Sequence, residues 1–281
     1  MRTIEVEKVT EAIAKMCVDA CYYLTPDVYD ALVAAKSTEE SPLGKELLTR
    51  LVENADIARE EQMPICQDCG MAVVFLEIGQ DVHFTGGNLE DAVNAGVAKG
   101  YTEGYLRKSV VSEPLFNRKN TGNNTPAVVH LSIVPGDKVK IKMTPKGFGS
   151  ENKSALKMLV PADGLEGVKK VVLDTVKTAG SNPCPPMVIG VGIGGTMEKA
   201  SLLAKKALMR PVNKHNANPD YAKLEEELLT MVNKSGLGPQ GLGGTTTAIG
   251  LNVEYYATHI AGLPVAVNIS CHATRHAEVE L

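Results

Sequence analysis

The six cysteines of this 281-residue chain offer the widest choice of chemistry, and their settings differ. Cys66 and Cys69 form a C-x-x-C within Pro64-Ile65-Cys66-Gln67-Asp68-Cys69-Gly70, a turn feeding the apolar run 71–78. Cys184 stands in Asn182-Pro183-Cys184-Pro185-Pro186. Prolines remove backbone donors and fix the chain, so this thiol belongs to a stiff loop rather than a packed strand. Cys271 stands in Asn268-Ile269-Ser270-Cys271-His272, at the exit of another apolar run. Cys17 and Cys21 lie one helical turn apart among apolar residues, a setting that predicts core thiols. A lone C-x-x-C suits half of a zinc knuckle or a redox pair. A structural zinc site wants a second C-x-x-C or a His pair at ligand spacing, and a redox pair wants a helix N-terminus. Here neither partner motif is present and a strand follows.

Cys66, Cys184 and Cys271 therefore remain, each in a separate loop near a strand end, where α/β sites assemble. Their spacing leaves convergence open. Three thiolates on a 4Fe–4S cluster would leave one iron without a protein ligand, and an open iron is a Lewis acid for substrate oxygen. Full cysteine ligation suits electron transfer instead, and for that Cys69 is the nearby fourth candidate. A third class comes from Gly190-Val191-Gly192-Ile193-Gly194-Gly195, which matches G-x-G-x-x-G between a strand and a helix. The acidic residue expected about 20 positions on is replaced by Arg210-Pro211-Val212, which counts against a dinucleotide site. A scaffold without chemistry is the fourth reading.

The elements that must position these residues follow from periodicity and capping. Val6, Val9, Ile13, Met16 and Cys17 recur at helical spacing, and Thr25-Pro26 and Ser41-Pro42 are helix starts. Helices are expected near 5–22, 26–36 and 42–62, then a strand at 71–78 and a helix from Asn88 to about Tyr105. Strands at 127–134 and 138–143 precede a loop at 146–152 and a helix at 163–179. The second half alternates as strand 187–193, helices 196–209 and 219–234, and strands 246–255 and 264–270. The order predicts α/β architecture, mixed sheets flanked by helices with a helical N-terminal segment. The length suits one catalytic domain over 1–281, divisible into two α/β subdomains. The glycine-rich stretch Ser235–Gly244 reads as a shaped loop rather than a tether.

A net charge of -4 argues against nucleic acid as the main partner, since phosphate binding needs a basic face. No apolar run reaches the ~18 residues of a membrane helix, and the N-terminus interleaves charges with apolar residues, so the expected location is cytoplasmic.

Four segments in order, Pro64–Gly70, Lys146–Ser154, Asn182–Glu198 and Asn268–His276, give the chain a family likeness. Over nearly its whole length it resembles the α subunit, or N-terminal domain, of the class I iron–sulfur fumarases and the related L-tartrate dehydratases. The resemblance implies a 4Fe–4S cluster held by Cys66, Cys184 and Cys271, with one open iron. It implies that Gln67, Asp68, Arg107 and Gly149 meet a small dicarboxylate, with Asp68 and His259 as catalytic groups. The planar fork of Arg107 suits bidentate carboxylate recognition. The family usually has Thr where this chain has Cys69. Single-chain members carry a further domain, so a separate β subunit in a larger hetero-oligomer is expected to complete the active site. The expected reaction is reversible hydration of fumarate to (S)-malate, with L(+)-tartrate dehydration as the alternative.

Overall fold

Val9, Ile13, Cys17, Ala20 and Cys21 are all almost fully buried, so the 3.6-residue period read along the chain is the inward stripe of a helix. The computed structural model describes residues 1–281. In chain order the first elements are β1 (Arg2–Glu5), α1 (Val6–Tyr22), α2 (Pro26–Thr38), α3 (Pro42–Glu60), β2 (Met71–Gly79) and β3 (Val82–Thr85). Then come α4 (Leu89–Glu103), β4 (Val128–Val134), β5 (Val139–Lys146), the single helical turn α5 (Phe148–Glu151) and β6 (Ala155–Leu159). The remainder is α6 (Gly164–Ala179), β7 (Met187–Gly194), α7 (Met197–Ala207), α8 (Pro219–Asn233), β8 (Ala248–Tyr256), β9 (Leu263–Ser270) and β10 (Ala277–Glu280). The α/β class with mixed sheets and a long N-terminal helix is as expected. Two compact units result: Met1–Thr25 with Ala55–Phe148 and Arg275–Leu281, and Pro26–Asn54 with Gly149–Thr274.

The first unit is built on the sheet β10-β5-β2-β4, in which β2 runs antiparallel to β5 and parallel to β4. Val74, Leu76, Ile141 and Met143 from this sheet share a core with α1 and α4. The two helices lie backbone to backbone because α4 presents glycine where they cross. A Cβ at Gly96 or Gly100 would stand 2.6 Å from the carbonyl oxygens of Thr10 and Ala14 respectively. Asn88 caps α4 by accepting from the amides of Glu90 (2.9 Å) and Asp91 (3.1 Å).

The second unit is built on the sheet β6-β9-β7-β8, in which β7 runs parallel to β8 and antiparallel to β9. Every residue of β7 is buried. Met187, Ile189, Val191 and Ile193 pack against the apolar stripes of α6 and α8, while Gly190 and Gly192 point the other way. Added Cβ atoms there would lie 2.2 Å from Ala204 O and 2.0 Å from Ala200 O, both on α7. The glycine pattern is therefore a packing signature. It lets α7 sit directly on the strand and leaves the dinucleotide reading without its physical basis. Gly192→Ala is expected to destabilise the chain by about 1–3 kcal/mol through overpacking, read as a lower urea midpoint at unchanged slope. An unchanged midpoint would mean that α7 moves aside at no cost.

Short strands were harder to foresee. β1, β3, β6 and β10 have only four or five residues, too few for an alternation to stand out. Of the two hydroxyl caps expected, Ser41 Oγ accepts from Gly44 N at 3.1 Å, whereas Thr25 Oγ1 is buried without a partner. No helix is long and apolar enough to cross a membrane.

Candidate functional site

Burial divides the six cysteines evenly. Cys17, Cys21 and Cys69 are at most 1% exposed, whereas Cys66 and Cys271 are half-buried and Cys184 is exposed. Desolvation pushes the Cys17 thiol up to about 12, as befits a core group. Cys69 packs in the same core, and its sulfur accepts the Arg107 amide at 3.2 Å. The neighbouring Cys21 thiol, that amide and the Arg275 charge pull Cys69 down, while Cys21 is pushed up by its hydrogen bond to Cys69 and by burial. The three accessible thiols are Cys66, Cys184 and Cys271, and thiolates are the donors that iron–sulfur chemistry requires. No three His, Cys, Asp or Glu side chains close on a point the size of a single metal ion.

In the first unit the Cys66–Gly70 turn is stitched from several sides. The Asp68 amide donates to Cys66 Sγ at 3.4 Å, and the Cys66 thiol donates to Gln67 Oε1 at 3.3 Å. The Asp68 carboxylate accepts the Gly70 amide at 3.0 Å on one oxygen and the Phe148 amide at 2.8 Å on the other. Arg275 Nη2 donates to the Asp68 carbonyl at 2.7 Å. Gly70 has φ +72° and no room for a side chain, since a Cβ would lie 2.7 Å from the Pro145 and Lys146 carbonyl carbons. Two buried polar side chains anchor the turn from behind. Tyr101 Oη donates to Cys69 O at 2.6 Å, and Asn124 Nδ2 donates to Gly70 O at 3.1 Å. Asn124 Oδ1 also accepts the Ser109 amide at 2.7 Å. The segment carrying the exposed Arg107 is thus fastened to the turn that carries Cys66, Gln67 and Asp68.

In the second unit Cys184 and Cys271 meet at one end of the sheet. Cys184 precedes β7, Cys271 follows β9, and Val188 pairs with Ser270. The His272 amide donates to Cys184 O at 3.3 Å, and His272 Nδ1 lies 3.0 Å from the same oxygen. Cys184 has φ +52°, a conformation that costs a non-glycine residue about 1–3 kcal/mol unless its surroundings enforce it. The glycine-rich loop supplies that enforcement. Gln240 donates to Pro185 O from its amide (2.8 Å) and its side chain (2.7 Å), and Gly241 lies where a Cβ would be 2.4 Å from Ser181 Cβ. Buried Glu39 holds the far end of this loop by accepting the amides of Thr245 (2.9 Å) and Thr246 (2.7 Å) as well as Ser41 (2.9 Å). Gly149 comes to the same place, with a virtual Cβ 3.7 Å from Asn182 O, two residues before Cys184.

The structure does not bring His259 to these two cysteines. His259 is exposed in the turn between β8 and β9, where its Nδ1 accepts the Ala261 amide at 3.2 Å. Tyr256 pairs with Gly194 at the opposite end of β7, so the length of β9, about 25 Å for an eight-residue strand, separates the turn from Cys271. His259 and this pair of cysteines thus stand at opposite ends of one sheet.

Tyr101, Asn124, Gln240 and Glu39 were not singled out from the sequence. Tyr101, Asn124 and Glu39 are polar groups at most 1% exposed, a property that only the packed structure reveals.

Comparison with known proteins bears on the whole chain. The family model described as Fumarate hydratase (Fumerase) matches residues 10–280. A protein of Methanocaldococcus jannaschii, named provisionally as L(+)-tartrate dehydratase subunit alpha, is 41% identical over 275 residues and covers 96% of both chains. L(+)-tartrate dehydratase subunit alpha of Escherichia coli O157:H7 is 34% identical over 274 residues, covering 96% of this chain and 89% of its own. The corresponding subunit of Escherichia coli K12 is 33% identical over the same length.

Proposed function

The chain belongs to the fumarate hydratase (Fumerase) family of hydro-lyases, and from that premise we propose that it is the α subunit of an L(+)-tartrate dehydratase. The relatives that are 33–41% identical carry the tartrate dehydratase name, which moves tartrate ahead of the fumarate expected from the sequence. Fumarate stays as the second reading because the family model bears its name. A β subunit completes the enzyme, as the subunit naming of the relatives implies.

The family uses an iron–sulfur cluster. The residues fit one: the three accessible cysteines are Cys66, Cys184 and Cys271, and two of them sit on adjoining loops made rigid by proline and by the Ser235–Gly244 loop. That separation of accessible from core thiols is the observation that carries the proposal. A 4Fe–4S cluster held by three thiolates supplies a Lewis acid that polarises the C–O bond being broken or made.

The remaining work falls to this chain and its β partner. Arg107, exposed and fastened beside the Cys66 turn, pairs with a substrate carboxylate. Gln67 offers its amide to the same substrate. Gly149 lets backbone approach where a side chain would intrude. Asp68 takes the proton from the carbon adjacent to the one that bears the departing hydroxyl. Each of its carboxylate oxygens holds one backbone N–H and keeps capacity for another partner. His259 stays outside this set because of its position at the other end of the sheet. Dehydration of tartrate removes one hydroxide and one proton, and the resulting enol rearranges to oxaloacetate.

Anaerobic reconstitution of the α–β complex with iron and sulfide, assayed on both substrates, tests the proposal. The expected result is a kcat/KM for L(+)-tartrate at least about tenfold above that for fumarate, the scale of one differential polar contact. The reverse ratio would make the chain a fumarase subunit, and turnover of neither would remove both readings.

A further inference from the structure

Resting on that reading of the site, we infer that Glu151 and Asn268 are positioning residues: together they clamp the Gly149 segment onto the strand that leads to Cys271. Both ends of the clamp lie in the second unit. Glu151 is on α5, two residues after Gly149, and Asn268 is on β9, three residues before Cys271. Asn268 Nδ2 donates to Glu151 Oε2 at 2.8 Å and to Ser154 Oγ at 2.7 Å. Ser154 Oγ also accepts the amide of Ile269 at 3.1 Å. The other Glu151 oxygen is ion-paired with Lys205 on α7, and both side chains are largely withdrawn from water. Burial pulls the Lys205 ammonium down and the Glu151 charge opposes it. The array borders a cleft of about 250 Å³ between α7 and the sheet.

Two features make this more than a chance cluster. Asn268 pairs with Gly190 on β7, and the space over that glycine is filled by α7, so the carboxamide turns away from β7 toward Glu151 on α5 and Ser154. Its direction is also decided. Both amide hydrogens are used, and a flipped amide would set oxygen against the Glu151 carboxylate. Asn268 Oδ1 is left buried without a partner, an arrangement that packing alone would not favour over leucine. The chain keeps the amide where only its donor side is used. Outer partners of this kind set the orientation of the ligands and substrate contacts beside them.

The test uses the reconstituted α–β complex carrying Asn268→Leu, with Ser154→Ala as a second, smaller lesion. Three readouts are taken: amide hydrogen exchange over 148–154 and 266–271, the rate at which a chelator removes iron, and KM against kcat on the better substrate. Faster exchange over both segments is expected, with iron loss about tenfold faster and KM raised about tenfold while kcat changes less. Glu151→Gln, which keeps an acceptor for Asn268, should show a smaller rise in KM than Asn268→Leu. Unchanged exchange in both variants overturns the clamp, whatever the activity. Faster exchange with wild-type iron retention and KM overturns its positioning role. A wild-type complex that takes up no iron sinks the cluster reading instead, and the exchange arm then decides the clamp separately.

Discussion

Cys184→Ser is expected to leave a folded chain that no longer holds iron and has turnover at background. Cys184 is exposed, so exchanging its sulfur for oxygen removes no core packing and should change stability by less than about 0.5 kcal/mol. A serine hydroxyl does not ionise near neutral pH and cannot replace a thiolate on iron. The loss should therefore appear in iron content and visible absorbance while the thermal midpoint stays in place. Cys66→Ser and Cys271→Ser should behave alike. Cys69→Ser is the informative opposite. Its sulfur is 1% exposed in the core of the first unit and accepts the Arg107 amide, a role that a hydroxyl can share. That variant should lose about 1–2 kcal/mol of stability and keep its full iron content. If Cys69→Ser loses iron while Cys184→Ser retains it, the ligand set proposed above is wrong and a four-cysteine, electron-transfer site becomes the better reading.

The second large effect concerns acid. Glu39 is 1% exposed; burial opposes its ionisation, yet the amides of Ser41, Thr245 and Thr246 hold its carboxyl down to about 2 from an ordinary 4.5. A carboxyl with a depressed folded-state value stabilises the fold above the unfolded value and loses that contribution as pH falls. For Glu39 this means about 3 kcal/mol that is present at neutral pH and disappears between pH ~5 and ~2. Denaturant titrations across this range should show the loss. In Glu39→Gln most of the stabilisation should be missing already at pH 7, because an amide sets its own N–H groups against the three backbone donors, and the acid limb should flatten. An acid limb as steep as that of wild type would remove Glu39 as its source. The consequence reaches the site, because Glu39 anchors the Thr245–Thr246 end of the loop whose Gln240 end braces the Cys184 segment.

Several features needed only local information. The apolar stripes of α1 and α6, the Asn88 cap and the proline-bound Cys184 loop are properties of a few neighbouring residues, and they can be read from spacing and side-chain chemistry. The division of cysteines was legible in part: Cys17 and Cys21 lie within a helix period and Cys184 does not, whereas Cys69, a fourth ligand candidate in the sequence, is a core thiol only by its burial. Gly190 and Gly192 show where local reading fails. The same pattern serves a phosphate or a close helix, and only the position of α7 against β7 decides between them. The place of His259 was beyond local reading in another way: chain order says nothing about which end of a sheet a turn occupies until strand directions are known. The polar groups that brace the cysteine-bearing segments within each unit, Glu39, Tyr101, Asn124, Glu151 and Asn268, look like ordinary surface residues in a linear string. Their roles arise from burial and from partners as far as 207 residues away in the chain, which are set by how each unit folds. The chain by itself determined that Cys17 and Cys21 belong to a helix core and that Cys184 stands in a stiff loop, because both follow from local periodicity and rigidity. The tertiary structure alone decided which residues hold them in place, because that depends on contacts between segments far apart in sequence.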